Sequence, residues 1–152
     1  MTELKPILLA EDNPSDAELA LEVLADSNLA NRVVLVSDGV EALEYLSCAG
    51  KYRDRKPGNP AVVFLDIKMP RMDGIEVLRA IRSDPALKLI PVVMFTSSRE
   101  EQDLIRSYEL GCNAYVVKPV EFTEFVGAVK QLGLFWAMLN ELPSQGVSTR
   151  ER

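Results

Sequence analysis

The chain contains no histidine. That excludes Ser-His-Asp and Cys-His nucleophilic catalysis. It also leaves a zinc or other transition-metal site without its commonest nitrogen ligand. Cysteine is scarce: Cys48 and Cys112 stand far apart, in no metal-like spacing, and read as two reduced thiols rather than a disulfide framework. Basic residues are outnumbered, 17 Lys+Arg against 23 Asp+Glu, for a net charge of −6. A phosphate backbone selects basic faces, so nucleic acid is not an expected partner. No apolar run approaches the length of a membrane span, and the N-terminus lacks the apolar region of a signal peptide. A soluble, cytoplasmic protein with no membrane partner is therefore expected.

What is present is apolar content for one core, 47% hydrophobic over 152 residues, organised as alternating strands and helices. Ile7–Glu11 reads as a buried strand. Asn13 caps a helix with Pro14 at its first position, and Leu19, Val23 and Leu24 give that helix an apolar stripe ending near Ser27-Asn28. Arg32–Val36 is a second strand. Asp38-Gly39 opens a short helix carrying Val40, Leu43 and Leu46. Gly50–Pro60 is polar and rich in Gly and Pro, a surface loop. Ala61–Leu65 is apolar on both faces, as a central parallel strand should be. Met69–Gly74 is a turn, Ile75–Arg82 a third helix and Pro91–Phe95 a fourth strand. Ser98 and Glu101 suggest a capping box for a fourth helix through Leu110, with Gly111 as its stop. Ala114–Val117 is a fifth strand, and Phe122 to about Asn140 a last helix, ended by Pro143.

Five βα units of this kind predict an α/β fold: a flavodoxin-like (βα)5 doubly wound parallel sheet of strand order 2-1-3-4-5. A single domain is expected over 1–143, with an extended last helix and a mobile polar tail over 144–152. No second domain fits after residue 143.

Three apolar strands run out into charge. The first meets Glu11-Asp12, the third meets Asp66, and the fifth meets Lys118-Pro119. In a parallel α/β sheet all strand C-termini open at one edge, where ligands bind, so these residues should converge. Clustered carboxylates repel unless a cation joins them. Asp66 stands alone at its strand end and could attack a phosphoryl group as a carboxylate nucleophile. Such chemistry needs a metal to screen incoming charge. Mg2+ fits best, since it takes hard oxygen ligands and keeps several waters. Asp12 and Asp66 would be direct ligands, Glu11 would act through water, and the Lys68 backbone carbonyl could fill a further position. Lys118 would direct positive charge at the phosphoryl oxygens. A cis Lys118–Pro119 peptide could aim that lysine over the sheet edge, and Thr96 offers a hydroxyl. Taken singly, each feature has an ordinary reading: Glu-Asp as helix N-terminal charge, Lys-Pro as a common loop, Thr as a strand end. Their joint occurrence at successive strand ends carries the argument.

At this point the chain resembles the CheY-like receiver domains of two-component response regulators. The matching residues are Glu11-Asp12, Asp66 followed by Met69-Pro70 and Asp73-Gly74, Thr96-Ser97 and Lys118-Pro119. The spacing matches too, with thirty residues from Asp66 to Thr96 and twenty-two from Thr96 to Lys118. The interval from Asp12 to Asp66 is about ten residues longer than in the shortest members of that family, and the excess falls in Gly50–Pro60. The resemblance implies that Asp66 is the phosphoacceptor, Lys118 the phosphate-sensing lysine and Thr96 the switch hydroxyl. Tyr115 matches the family's rotating aromatic, or is simply a half-buried strand residue. The long second loop, Leu87–Val93, Thr96-Ser97-Ser98 and Phe135-Trp136…Leu142-Pro143 are similar to the small stand-alone regulators of bacterial phytochromes. That likeness implies a phosphohistidine donor on a light-regulated histidine kinase, the histidine belonging to the partner.

Signal would leave through a surface that changes on phosphorylation. The last helix has more apolar residues than one buried face needs, so a homodimer through Leu132, Phe135, Trp136 and Leu139 is expected. Such a protein would catalyse its own phosphorylation and dephosphorylation but would not be an enzyme for a free substrate. Three rivals remain. An aspartate-nucleophile phosphatase would carry a second acid where Lys68 stands. An FMN-binding flavodoxin would need a phosphate loop where Glu11-Asp12-Asn13-Pro14 stands. A receiver-like interaction module would never be phosphorylated.

Overall fold

The structure is a computed structural model that describes residues 5–26 and 32–118. Pro119, the last helix with Leu132, Phe135, Trp136 and Leu139, and the tail 144–152 lie outside the described residues.

Five strands form one parallel sheet: β1 (Ile7–Ala10), β2 (Val33–Val36), β3 (Val62–Leu65), β4 (Val92–Thr96) and β5 (Ala114–Val117). Their order is β2-β1-β3-β4-β5, the flavodoxin-like arrangement expected from the sequence. Between them run α1 (Pro14–Asp26), α2 (Gly39–Ser47), α3 (Gly74–Ser83) and α4 (Glu101–Glu109), with a 3-10 turn at Gly50–Tyr52. The central strands β1, β3 and β4 are buried at every residue, whereas the edge strands β2 and β5 are not. Successive side chains on a strand point to opposite faces. One face therefore gathers Leu8, Ala10, Val63, Leu65 and Met94 with Leu46 of α2 and Leu78 and Ile81 of α3. The other gathers Ile7, Leu9, Val62, Phe64 and Phe95 with Ala20 and Leu24 of α1. Each such large side chain, fully buried, contributes about 1.5–3 kcal/mol.

The helix starts explain how the sheet edge is shaped. Asn13 Oδ1 accepts from the Asp16 amide at 3.0 Å, so Asn13 caps α1 with Pro14 first, as expected. Asp73 Oδ1 accepts the Glu76 amide at 2.9 Å and Glu76 Oε1 accepts the Asp73 amide at 3.0 Å, a capping box at the start of α3. Gly74 is needed there because a Cβ would lie 2.2 Å from the carbonyl oxygen of Asp66. The first turn of α3 thus rests on the backbone of the central acidic residue. Gly111, at φ +94°, stops α4 as the sequence suggests.

Two expectations need correction. Leu19 is 37% exposed; among the described side chains of α1 the buried apolar ones are Ala17, Ala20 and the expected Leu24, and the side chain of Val23 lies outside the described set. Alanines let the helix lie close to the sheet, and their low hydropathy hid their burial. Helix α2 carries Val40, Leu43 and Leu46 as expected: Leu46 is buried, Leu43 packs half-buried against the core, and Ala42 and Tyr45 are buried with them. The Ser98–Glu101 capping box does not form. Helix α4 begins at Glu101 after Glu100, with no side-chain cap, because Ser98 Oγ donates instead to Asp103 Oδ2 at 2.6 Å.

Candidate functional site

The parallel register brings the strand ends together. The Glu11 amide bonds to Val36 O at 3.0 Å, the Asp66 amide to Ala10 O at 3.1 Å, and the Lys118 amide to Thr96 O at 2.9 Å. Glu11, Asp66, Thr96 and Lys118 are all buried at this one edge. Glu11, Asp12 and Asp66 each offer a carboxylate oxygen within 4.8 Å of the others, with Asp12 the exposed member.

Lys118 is the cation of the cluster. Its Nζ donates to Glu11 Oε1 at 2.5 Å, to Asp16 Oδ2 at 2.9 Å and to Asp66 Oδ2 at 3.1 Å, and it lies 5.2 Å from the centre of the Phe95 ring. Burial alone would lower the affinity of that amine for its proton. Glu11, Asp16 and Asp66 more than reverse this and hold Lys118 above the ordinary lysine value. Glu11 moves up to about 7, first because it is buried, with Asp66 adding to the rise and Lys118 and the Asn13 amide opposing it. Both Glu11 oxygens are in use, one on Lys118 and the other accepting the Asn13 amide at 3.1 Å. That fits an acid which meets a metal through water rather than directly.

Two observations bear on a cation here. Asp66 Oδ1 is buried with no hydrogen-bond partner, a costly condition unless something else satisfies it. The donor set around it is carboxylate oxygen alone, which suits a hard divalent ion. Lys68, two residues beyond Asp66, directs its side chain to Glu100 across the exposed rim at 3.5 Å. Among the described residues no donor reaches its carbonyl. The residues therefore fit magnesium or manganese.

Thr96 lies fully buried at the end of β4, where its Oγ1 accepts the Ser98 amide at 3.1 Å and bonds to none of the carboxylates. Tyr115 is half-buried and donates its hydroxyl to Ser98 O at 3.1 Å. Ser98 thus joins the end of β4, the first turn of α4 through Asp103, and β5 through Tyr115. Asp16 is a participant that its sequence context does not mark: in the first turn of α1 it looks like an ordinary helix N-terminal acid, and its bond spans 102 residues to Lys118.

Residues 7–130 match the response regulator receiver domain. The chain belongs to the response regulator receiver family. It is 37% identical over 140 residues to response regulator Rcp1 of Synechocystis sp., covering 92% of this chain and 94% of Rcp1. The Mn(2+)-bound structure of Rcp1 superposes with a TM-score of 0.74, covering 91% of this chain and 99% of that one. The bacteriophytochrome response regulator AtBRR is 60% identical, with a TM-score of 0.81 over 92% of this chain and 100% of that chain. The phosphorylated cyanobacterial phytochrome response regulator RcpA is 41% identical, with a TM-score of 0.75 over 93% of this chain and 99% of that one. This receiver is thus related to the response regulators of phytochromes. No helix among its described residues is long and apolar enough to cross a membrane.

Proposed function

We propose that Asp66 accepts a phosphoryl group from a phosphohistidine on a partner histidine kinase, a bacterial phytochrome being the kinase that the relatives favour. The observation that carries this reading is the asymmetry of Asp66. One oxygen, Oδ2, is held by Lys118 at 3.1 Å, and the other, Oδ1, is buried without a partner. In the transfer a carboxylate oxygen of Asp66 bonds to phosphorus, the phosphorus–nitrogen bond of the donor breaks, and the imidazole leaves with the electron pair.

Asp12 and Asp66 would hold Mg2+ directly, with the Lys68 carbonyl, and Glu11 would hold it through water. Bound there, the ion screens charge between the acceptor and the incoming phosphoryl oxygens. Lys118 provides a fixed positive charge beside the acceptor. Thr96 and Tyr115 form the readout: drawing Thr96 toward the phosphoryl group strips Ser98 of a bond, and Ser98 also holds Tyr115 and α4. The protein turns over no free substrate as its role. It works in the cytoplasm, away from nucleic acid and membrane.

A homodimer formed by the last helix with α4 and β5 carries the signal onward. Leu104, Ile105 and Tyr108 leave α4 with an exposed apolar face, which supports this.

Acetyl phosphate with magnesium should label the wild-type protein and not Asp66→Asn, and a phosphorylated phytochrome kinase should do the same. Labelling that survives Asp66→Asn would sink the assignment of the acceptor. A wild-type chain that no donor labels would leave the interaction-module reading in its place.

A further inference from the structure

The ammonium group of Lys118 has three hydrogens, and three carboxylates take them: Glu11, Asp16 and Asp66, at 2.5, 2.9 and 3.1 Å. A phosphoryl group on Asp66 brings about two negative charges and new acceptor oxygens beside this lysine. Phosphorylation turns the Asp66 carboxylate into a neutral, weaker acceptor, so one phosphoryl oxygen takes its place on Lys118. A second can bond the lysine only if Glu11 or Asp16 gives way.

These two differ in what release would cost. The Glu11 side chain is 0% exposed, whereas that of Asp16 is 36% exposed. Releasing Glu11 would strand a carboxylate whose side chain is wholly buried, which is strongly unfavourable. Releasing Asp16 returns a carboxylate to solvent, and pairs of that kind contribute little. The backbone of Asp16 stays where it is, because its amide remains bonded to Asn13.

We infer that Asp16 is the counter-ion which phosphoryl oxygens displace from Lys118, a positioning residue that opposes capture of the phosphoryl group by this lysine. The inference rests on Asp66 being the acceptor. An acid in the first turn of a helix ordinarily complements the helix dipole, and that role alone would affect only stability. Displacement makes a different forecast: removing the charge of Asp16 tightens binding of a phosphoryl analogue.

The test is calorimetric titration of the full chain with beryllium fluoride at saturating magnesium. Asp16→Asn should bind the analogue about three- to fivefold more tightly than wild type, the scale of one partly exposed ion pair. Glu18→Gln makes the same charge change on the exposed side of α1 and should bind as wild type does. Asp16→Ser provides a second variant should the asparagine form fail to fold. Unchanged or weaker binding by the Asp16 variants overturns the inference, as does equal tightening by Glu18→Gln. If wild type neither binds the analogue nor is labelled by acetyl phosphate, the acceptor reading itself has failed. Binding by wild type with no gain in Asp16→Asn removes the counter-ion role alone.

Discussion

The two ends of the sheet handle positive charge in opposite ways. At the C-terminal end a lysine faces carboxylates in excess, and one acceptor oxygen is left without a partner. At the N-terminal end two arginines bond neutral acceptors. Arg82 donates to Gly111 O, Lys88 O, Ile90 O and Asn113 Oδ1 at 2.8–3.1 Å. Arg55 donates to Tyr45 O, Lys56 O and Gly58 O and stacks 4.1 Å from the Tyr45 ring centre. A planar fork fixed on carbonyls has nothing to exchange. An ammonium group on a flexible stem, among carboxylates of unequal exposure, can change partners. One end is built to stay as it is and the other to respond.

The largest expected effect is at Lys118. Lys118→Met keeps the apolar stem but removes the only cation bonded to Glu11 and Asp66 among the described residues. Breaking a buried pair costs about 3–5 kcal/mol. Millimolar magnesium should recover much of that, because a ligand that binds only the folded state stabilises it by mass action. Urea denaturation with and without magnesium measures both. A loss that magnesium leaves untouched would mean that the carboxylates do not share a cation site.

Arg82→Ala should come next, at about 3 kcal/mol, since it leaves several carbonyls without their donor. Magnesium should not restore it, and the folded fraction should still be labelled at Asp66. Rescue by magnesium here would erase the distinction between the two ends.

These differences track what the sequence could tell. Strands ending in charge were legible because an apolar run meeting Glu11-Asp12, Asp66 or Lys118 is a local pattern, and parallel topology does the rest. Gly111 and Asn13 were legible for the same reason. Asp16 and Arg82 were not. Asp16 makes its bond to Lys118 102 residues away, and Arg82 reaches Asn113 at a separation of 31. Nothing beside either residue in the chain marks such a partner. The Ser98–Glu101 capping pattern was locally sound and lost to Asp103, a tertiary choice made once Tyr115 also bonds Ser98.

Arg55→Ala should cost about 2 kcal/mol and leave labelling intact, through loss of its carbonyl bonds and its stacking on Tyr45. Arg55→Lys should recover only part, because a lysine cannot serve three carbonyls and the ring together in one plane. Full recovery would make the charge, rather than the fork, the stabilising feature.

The smallest effect should be the pH-dependent one, at Glu41. Its carboxylate accepts the Ser37 amide at 2.9 Å and the Tyr52 hydroxyl at 2.8 Å, and pairs with Lys51 at 2.7 Å. Partial burial would raise its proton affinity, but Lys51, the Ser37 amide and Tyr52 outweigh that and bring it below its ordinary value of 4.5. A carboxyl lowered on folding adds stability above its unfolded value, and loses it as pH falls through the folded value. Glu41→Gln should therefore cost about 1 kcal/mol at neutral pH, a shift of a few degrees in Tm. Lys51 is 64% exposed, so most of that cost should persist in high salt. The gap between variant and wild type should close as pH is lowered past the ordinary carboxylate range, whatever happens to the Lys118 cluster. A gap that stays constant into acid would place the contribution of Glu41 in its packing rather than in its charge.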